Sequence, residues 1–358
     1  MAAFKEKNGT WYTSFRYTDW KGERIQKLKR GFPTKREALE WEREFLQEKT
    51  SDLTMTFESF VNVYMEDMRT RLRQSTWSTK ENIILKKLLP YFGNKSMSDI
   101  SAKDIIRWQN EMMKLKGKDG KHYSDTYLKT LHNQVSAIFN HAVRFYDLKS
   151  NPASKAGSIG KKEAKDMSFW TKEEYLKFAE SMMIKPMSYY AFEMLYWCGI
   201  RTGELLALNS ADFDFEKGTV TISKSYQRIA RQDIITGPKT PKSNRVISMP
   251  DFLCQQMREY IDSLYSCKPT DRIFPITKNY LHHEMNRGCK AQGIKRIRVH
   301  DIRHSHVSFL IDMGFSAVAI ADRVGHESID ITFRYAHLFP SKQIEMANRL
   351  NAEKLNSK

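Results

Sequence analysis

VGHESIDITFRYAH, residues 324–337, sets Gly325 directly before His326 and Tyr335 nine residues after that histidine. By itself the stretch reads as a turn followed by a helix carrying a half-buried aromatic. Three stretches upstream change that reading. GIRTGEL supplies Arg201 and Glu204, KTPKSNRVISMP supplies Lys239 and Lys242, and VHDIRHSH supplies His300 and Arg303. Two arginines, a lysine, two histidines and a tyrosine suit one chemical group in common, a phosphodiester. A guanidinium fork holds two non-bridging oxygens and stays charged, so a pair of them can stabilise a negatively charged phosphorane. Histidines add hydrogen bonds or proton transfer. A tyrosine hydroxyl attacks only once deprotonated, from an unperturbed pKa of about 10, and nearby cations favour the phenolate.

These four boxes, in this order and within about 135 residues, resemble the tyrosine recombinase (phage-type integrase) family. Its signature is an Arg box, a β-hairpin lysine, an H-x-x-R box, and a Gly-His pair followed nine residues later by the nucleophile. The resemblance implies that Tyr335 attacks the scissile phosphate and forms a 3′-phosphotyrosine link. It implies that Arg201 and Arg303 clamp that phosphate and that His300 accepts or shares the nucleophile's proton. His326 would hydrogen-bond a phosphate oxygen, with Glu204 supporting the network. The hairpin lysine would protonate the departing 5′-oxygen. Lys242 lies eight residues before Pro250, matching the family's interval, and Lys239, three residues earlier, serves if the hairpin register differs.

The same resemblance implies a homotetramer on paired double-stranded DNA sites, of core and arm type, exchanging strands through a Holliday junction to integrate and excise a mobile element. An accessory DNA-bending or excision protein would be a further partner. No cofactor is needed, because the phosphotyrosine bond conserves the energy of the broken phosphodiester. Two rivals share parts of this description: a non-catalytic DNA-binding protein of the same fold, and a type IB topoisomerase. The intact set Arg201, Lys242, His300, Arg303, His326 and Tyr335 opposes the first; the N-terminal basic sheet and the tail after Tyr335 oppose the second.

The rest of the chain is consistent with that reading. With 358 residues, two or three domains are expected. A net charge of +17 draws polyanions through long-range fields and counterion release. The charge is spread along the chain rather than gathered on one amphipathic helix, which favours nucleic acid over a membrane surface. No apolar run approaches the roughly 20 residues that span a bilayer, and the first residues lack a secretory apolar core. Cys198, Cys254, Cys267 and Cys289 show neither CxxC spacing nor a disulfide framework, so reduced thiols in a cytosolic protein are expected; the resemblance implies a bacterial host cell.

The expected fold is multidomain, mainly α with α+β parts. Residues 1–52 are expected to form a three-stranded sheet plus helix, which by the resemblance is an arm-type DNA-binding domain. TWYTSFRYT alternates, ERIQKLKRGF continues the sheet, and Thr34 with Glu37 opens a helix. Up to residue 36 there are ten Lys/Arg against three acids. Residues 53–150 form a helical, SAM-like core-binding domain, with Phe57, Phe60, Val61, Tyr64 and Met68 at helical spacing and Ile83, Leu85, Leu88 and Leu89 more loosely so. His132 and His141 sit in helical patterns as packing residues. Residues 151–168 read as a linker, polar and basic with Pro152 and two glycines. Residues 169–340 form a mixed α/β catalytic domain and 341–358 a tail helix. Arg16, Lys27, Lys29, Arg30, Lys118, Lys121, Lys161 and Lys162 are candidate DNA contacts. GSIGKKE lacks Walker spacing. His304, His306 and the HHE at 282–284 lack the spacing of a zinc site, so no metal is expected.

Overall fold

The alternation in TWYTSFRYT produces the middle strand of an antiparallel sheet, β2 (Trp11–Thr18), between β1 (Ala3–Lys5) and β3 (Arg24–Phe32). Thr13, Phe15 and Tyr17 point to one face. There α1 (Lys35–Ser51), opened by Thr34 accepting from the Glu37 backbone N–H, brings Trp41 and Phe45 against the Phe15 ring. The register pairs Phe15 with Lys27 and Thr13 with Lys29. Both lysines therefore share the helix side, Lys29 Nζ lying 4.5 Å from the centre of the Trp41 ring. Arg16 and Arg30 occupy the opposite face. These four candidate DNA contacts are thus divided between the two sides of the sheet.

The structure, a computed structural model, describes residues 3–18, 24–51, 55–117, 119–161, 167–238, 241–333 and 335, with isolated positions beyond 346. Lys118, Lys162, Lys239 and most of the expected tail helix lie outside them. The chain forms two units, residues 1–164 and 165–358.

After the sheet, the first unit is helical: α2 (Phe57–Arg69), α3 (Gln74–Ile83), a π-helical turn (Ile84–Leu88), α4 (Leu89–Phe92), α5 (Ala102–Lys114), α6 (Asp125–Phe145) and α7 (Pro152–Ala156). Ser101 and Asp104 form a reciprocal cap on α5. Phe57, Phe60, Leu88, Trp108 and Phe139 centre the core. His132 packs beside Gln109, and His141 is fixed by Asp67 at 2.7 Å. Leu85, expected on the apolar face, is 55% exposed, because the wider π turn shifts the side-chain spacing. Lys121 and Lys161 are exposed.

Residues 151–160 depart from the expected linker. Asn151 Oδ1 caps α7 by accepting from the backbone N–H groups of Ala153 and Ser154 at 2.8 and 3.1 Å. Its Nδ2 donates to Asn140 Oδ1 at 2.8 Å, Pro152 and Ala153 are buried, and Gln109 holds the Gly157 carbonyl at 2.7 Å. Proline at the first helical position and a small buried residue suit a helix start packed tightly on its neighbours, a pattern that a polar, glycine-containing sequence conceals.

The second unit begins with α8 (Lys172–Met182), capped by Thr171 and Glu174, followed by α9 (Pro186–Trp197) and α10 (Thr202–Leu205). The strands β4 (Phe213–Asp214), β5 (Thr219–Ile222) and β8 (Arg245–Ser248) form one antiparallel sheet, with Val220 opposite Ile247. Between β5 and β8, β6 (Ser225–Ile229) and β7 (Gln232–Thr236) make a separate hairpin. Its turn residues, Ala230 and Arg231, both have positive φ, a conformation that asparagine or glycine usually announces. The helices α11 (Asp251–Asp262), α12 (Lys278–Gln292), α13 (Asp301–Asp312), α14 (Ala317–Val324) and α15 (Asp330–Phe333) complete the unit. Among the described residues no helix is long and apolar enough to cross a membrane.

Asn151→Ala should lower the stability of the first unit by about 2 kcal/mol, from a lost cap and lost buried hydrogen bonds. Urea denaturation of the protein followed through this unit checks it; a true linker residue would shift the midpoint hardly at all.

Candidate active site

α10 begins where Gly199, at φ 61°, turns the chain after α9. Arg201 then stands immediately before the helix, and Glu204 folds back on it. The Glu204 carboxylate accepts from the Arg201 backbone N–H at 2.9 Å and from Arg201 Nη1 at 2.7 Å. Arg245, the first residue of β8, grips the same carboxylate with both terminal nitrogens, at 2.9 and 3.3 Å. Burial pushes the Glu204 carboxyl pKa up, but hydrogen bonds and charge from Arg245, with the charge of Arg201, outweigh it and hold it below the usual value.

Both clamp candidates reach the loop between α14 and α15. Arg201 Nη2 donates to the Gly325 carbonyl at 2.9 Å. Arg303, on α13 and 4% exposed, donates to the Gly199 and Val324 carbonyls at 2.8 and 2.6 Å. Burial, followed by repulsion from Arg201, brings its pKa down to about 9. Arg245 joins the same loop through the Arg323 carbonyl at 3.1 Å. Gly325 ends α14 at φ 68°, and a Cβ there would lie 2.9 Å from the Lys242 carbonyl oxygen and 3.0 Å from Arg245 Cδ. Both the left-handed backbone and the close approach require glycine before His326.

His326 is buried, with Nδ1 sharing a 2.8 Å hydrogen bond with Thr332 Oγ1. Burial and the fields of Arg303 and Arg201 lower its pKa to about 3. His300, at the start of α13, lines a cavity of about 670 Å³ with Arg201, Lys224, Lys278 and Arg298. Its pKa is lowered by burial and then by Arg303. Lys242 is exposed in a short 3-10 turn before β8, its Nζ donating to the Glu327 carbonyl at 3.2 Å.

Tyr335 is 2% exposed, its ring packed with Val307, Ile311, Ile320 and Val324. Its hydroxyl meets His304 Nδ1; the family resemblance implied His300 as the acceptor of its proton. His304 directly follows the H-x-x-R box, yet its contact with Tyr335 is visible only once the helix turn is built. Arg245 was equally hidden: it lies in the quoted lysine stretch, but nothing in the sequence tells a surface strand arginine from one holding Glu204. Arg298 and Lys224 add cavity charge while paired with Asp301 and Asp212.

Glu284 in the HHE stretch holds Lys185 and Arg287 at 2.6 and 2.8 Å. Among the described residues no three His, Cys, Asp or Glu side chains converge as metal ligands. The four cysteines are free thiols.

Known proteins share this arrangement in sequence and fold. The family described as Phage integrase family matches residues 169–342, the Phage integrase N-terminal SAM-like domain residues 56–113, and the Arm DNA-binding domain residues 2–49. The chain is 27% identical over 377 residues to the ICEBs1 integrase of Bacillus subtilis (strain 168), covering 98% of this chain and 99% of that relative. Among solved structures, the Tn1549 transposon integrase in complex with circular intermediate DNA has a TM-score of 0.65 at 20% identity, over 84% of this chain and 100% of that one. A lambda integrase tetramer bound to a Holliday junction has a TM-score of 0.60 at 18% identity, over 95% of each chain.

Glu204→Gln leaves two arginines without their shared counter-charge and should destabilise the second unit by about 3 kcal/mol at neutral pH. Because the carboxyl pKa is depressed in the folded state, that difference is full above the unfolded value of about 4.3 and shrinks as pH falls through the lower folded value. Denaturation midpoints of both proteins across pH 3–7, spanning that roughly estimated window, measure it.

Proposed function

Since the chain belongs to the phage integrase family of tyrosine recombinases, we propose that Tyr335 is its nucleophile and that Arg201, Arg303, His300 and His326 hold the scissile phosphate of a double-stranded DNA site. The observation that carries this reading is the convergence of Arg201 and Arg303 on the carbonyls around Gly325, directly beside His326 and in the loop that leads to Tyr335.

Attack of the Tyr335 oxygen on phosphorus forms the 3′-phosphotyrosine bond and breaks the bond to the 5′-oxygen. The two guanidiniums offset the charge that grows on the equatorial oxygens. His300, facing the cavity, and buried His326 share hydrogen bonds with those oxygens, and a histidine takes the proton that Tyr335 loses, His300 by the family resemblance. Lys242 delivers a proton to the leaving 5′-oxygen, which would otherwise depart as an unstable alkoxide; Lys239 is the alternative donor. The 5′-hydroxyl of a partner strand then reverses the chemistry. Four copies on paired core-type sites exchange strands through a Holliday junction, as the bound state of the lambda integrase tetramer suggests by analogy. The sheet of β1–β3 reads arm-type sites, with Arg16 and Arg30 on its open face and Lys121 and Lys161 contributing backbone contacts elsewhere. Integration and excision of a mobile element in the bacterial cytoplasm, assisted by a DNA-bending or excision protein, complete the proposal.

A nicked suicide duplex carrying the core site, incubated without metal, should give a denaturant-resistant adduct at Tyr335. Tyr335→Phe should abolish the adduct while core-site affinity stays within about threefold. No wild-type adduct despite tight cognate binding would instead support a non-catalytic binder.

Lys242→Ala should slow cleavage by about 10²–10⁴-fold. A bridging 5′-sulfur, which leaves without protonation, should restore it. Arg303→Lys, unable to form the fork, should remain slow on both substrates. If Lys239→Ala alone shows the sulfur rescue, Lys239 is the acid.

A further inference from the structure

We propose that His304 is the base that removes the proton from Tyr335, with Asp301 orienting it. This rests on Tyr335 being the nucleophile and deepens that reading. Tyr335 has its ring enclosed by apolar side chains, and its hydroxyl meets His304 Nδ1. His300, the histidine of the H-x-x-R box, has its ring centre 5.5 Å from that of His304 and lines the cavity, where a phosphate would lie.

Three features of α13 suit His304 to this task. First, Asp301 lies one turn before it, its Oδ1 3.8 Å from His304 Nε2. That carboxylate is 2% exposed and gripped by Arg298, with Nη2 at 2.9 Å and Nε at 3.0 Å. Its negative charge favours the tautomer with hydrogen on Nε2, which leaves the Nδ1 lone pair facing the phenol. Second, burial, followed by the charges of His300, Arg298 and Arg303, brings the His304 pKa down to about 4 despite Asp301. The imidazole is therefore neutral and able to accept at physiological pH. Third, His304 is the next residue after Arg303, so the base and a phosphate clamp sit on one rigid turn of helix.

The proton balance is simple. As the Tyr335 oxygen bonds to phosphorus, its proton passes to His304 Nδ1, giving an imidazolium beside the Asp301 carboxylate. The bond from phosphorus to the 5′-oxygen breaks, and that oxygen receives its proton from the lysine. On rejoining, a 5′-hydroxyl returns its proton to the lysine as its oxygen bonds to phosphorus and displaces the phenolate, which recovers its own proton from His304.

The test uses the full chain and single-turnover cleavage of the suicide duplex. His304→Asn places an amide oxygen or nitrogen near the Nδ1 position but cannot carry the proton. Cleavage should fall by about 10²–10³-fold, core-site affinity should stay within about threefold, and a bridging 5′-sulfur should not restore the rate. In that background, Tyr335 replaced by a fluorinated tyrosine whose phenol ionises near neutral pH should regain most of the loss, because an ionised nucleophile needs no base. A merely structural role for His304 would leave the fluorinated protein as slow as its parent. His304→Gln repeats the comparison if His304→Asn fails to bind DNA. Near-wild-type cleavage by either binding-competent variant overturns the proposal. So does a deficit that fluorination leaves untouched, or one relieved by fluorination in His300→Asn instead. If wild-type protein gives no adduct at Tyr335, it is the nucleophile assignment that fails; an adduct formed at full rate without His304 sinks the base alone.

Discussion

The Glu204 carboxylate, 5% exposed, accepts hydrogen bonds from Arg201 and Arg245 at the same time. An ionised carboxylate with so little access to water is tolerable only when paired and hydrogen-bonded. Here both oxygens are engaged by guanidinium groups from two separate stretches of chain. Glu204 therefore fixes the start of α10 to the start of β8, and with them the Arg box to the lysine turn. Adding buried Arg303 leaves three cations around one anion. Carbonyls of Gly199, Arg323, Val324 and Gly325 take up the remaining donors. The surplus of positive charge is held in place by backbone dipoles, ready for an anionic phosphate.

The loop after α14 takes its shape from those arginines. Carbonyls of Arg323 and Val324 at the end of α14, and of Gly325 beyond it, act as acceptors, and the left-handed turn at Gly325 excludes any side chain there. His326 follows at once and is turned inward, and the short helix beyond it returns Tyr335 toward α13. A nine-residue interval between histidine and tyrosine is thus the length of one turn and one short helix. The spacing in the sequence is a consequence of the clamp geometry.

Residues whose chemistry is unusual for their place in a chain were legible in the sequence; residues whose importance comes from burial were not. Arg201, Glu204, Arg303 and His326 were singled out by type and interval, and the structure brings them together. The caps at Ser101, Thr171 and Thr34 were equally readable because they depend on neighbours three residues apart. Arg245 and His304 depend on partners 41 and 31 residues away, and no local pattern records such pairing. The β6–β7 hairpin escaped because Ala230 and Arg231 hold the positive-φ turn that glycine or asparagine would have signalled. The helix α7 was hidden by a polar composition whose one decisive residue, Asn151, works through side-chain hydrogen bonds to Ser136, Asn140, Ala153 and Ser154 only when α6 and α7 are packed. That Lys27 and Lys29 lie on the opposite face from Arg16 and Arg30 was not legible, because composition counts charge without regard to the face that strand register assigns.

The division of labour between arginine and histidine follows from the same electrostatics. Arginine keeps its charge under burial that neutralises a histidine: His304 is lowered to about 4 and His326 to about 3, while Arg303 remains at about 9. At neutral pH the arginines therefore supply the permanent field, and the imidazoles stay neutral, each keeping one N–H. A phosphate entering this field brings negative charge close to those imidazoles and raises their pKa values. The extra charge that accumulates on its oxygens during attack raises them further. In the proposed reaction, histidines that are poor bases without the phosphate become better ones as Tyr335 loses its proton. Lysine at these positions would have been charged too early, and arginine could never release a proton on the way back.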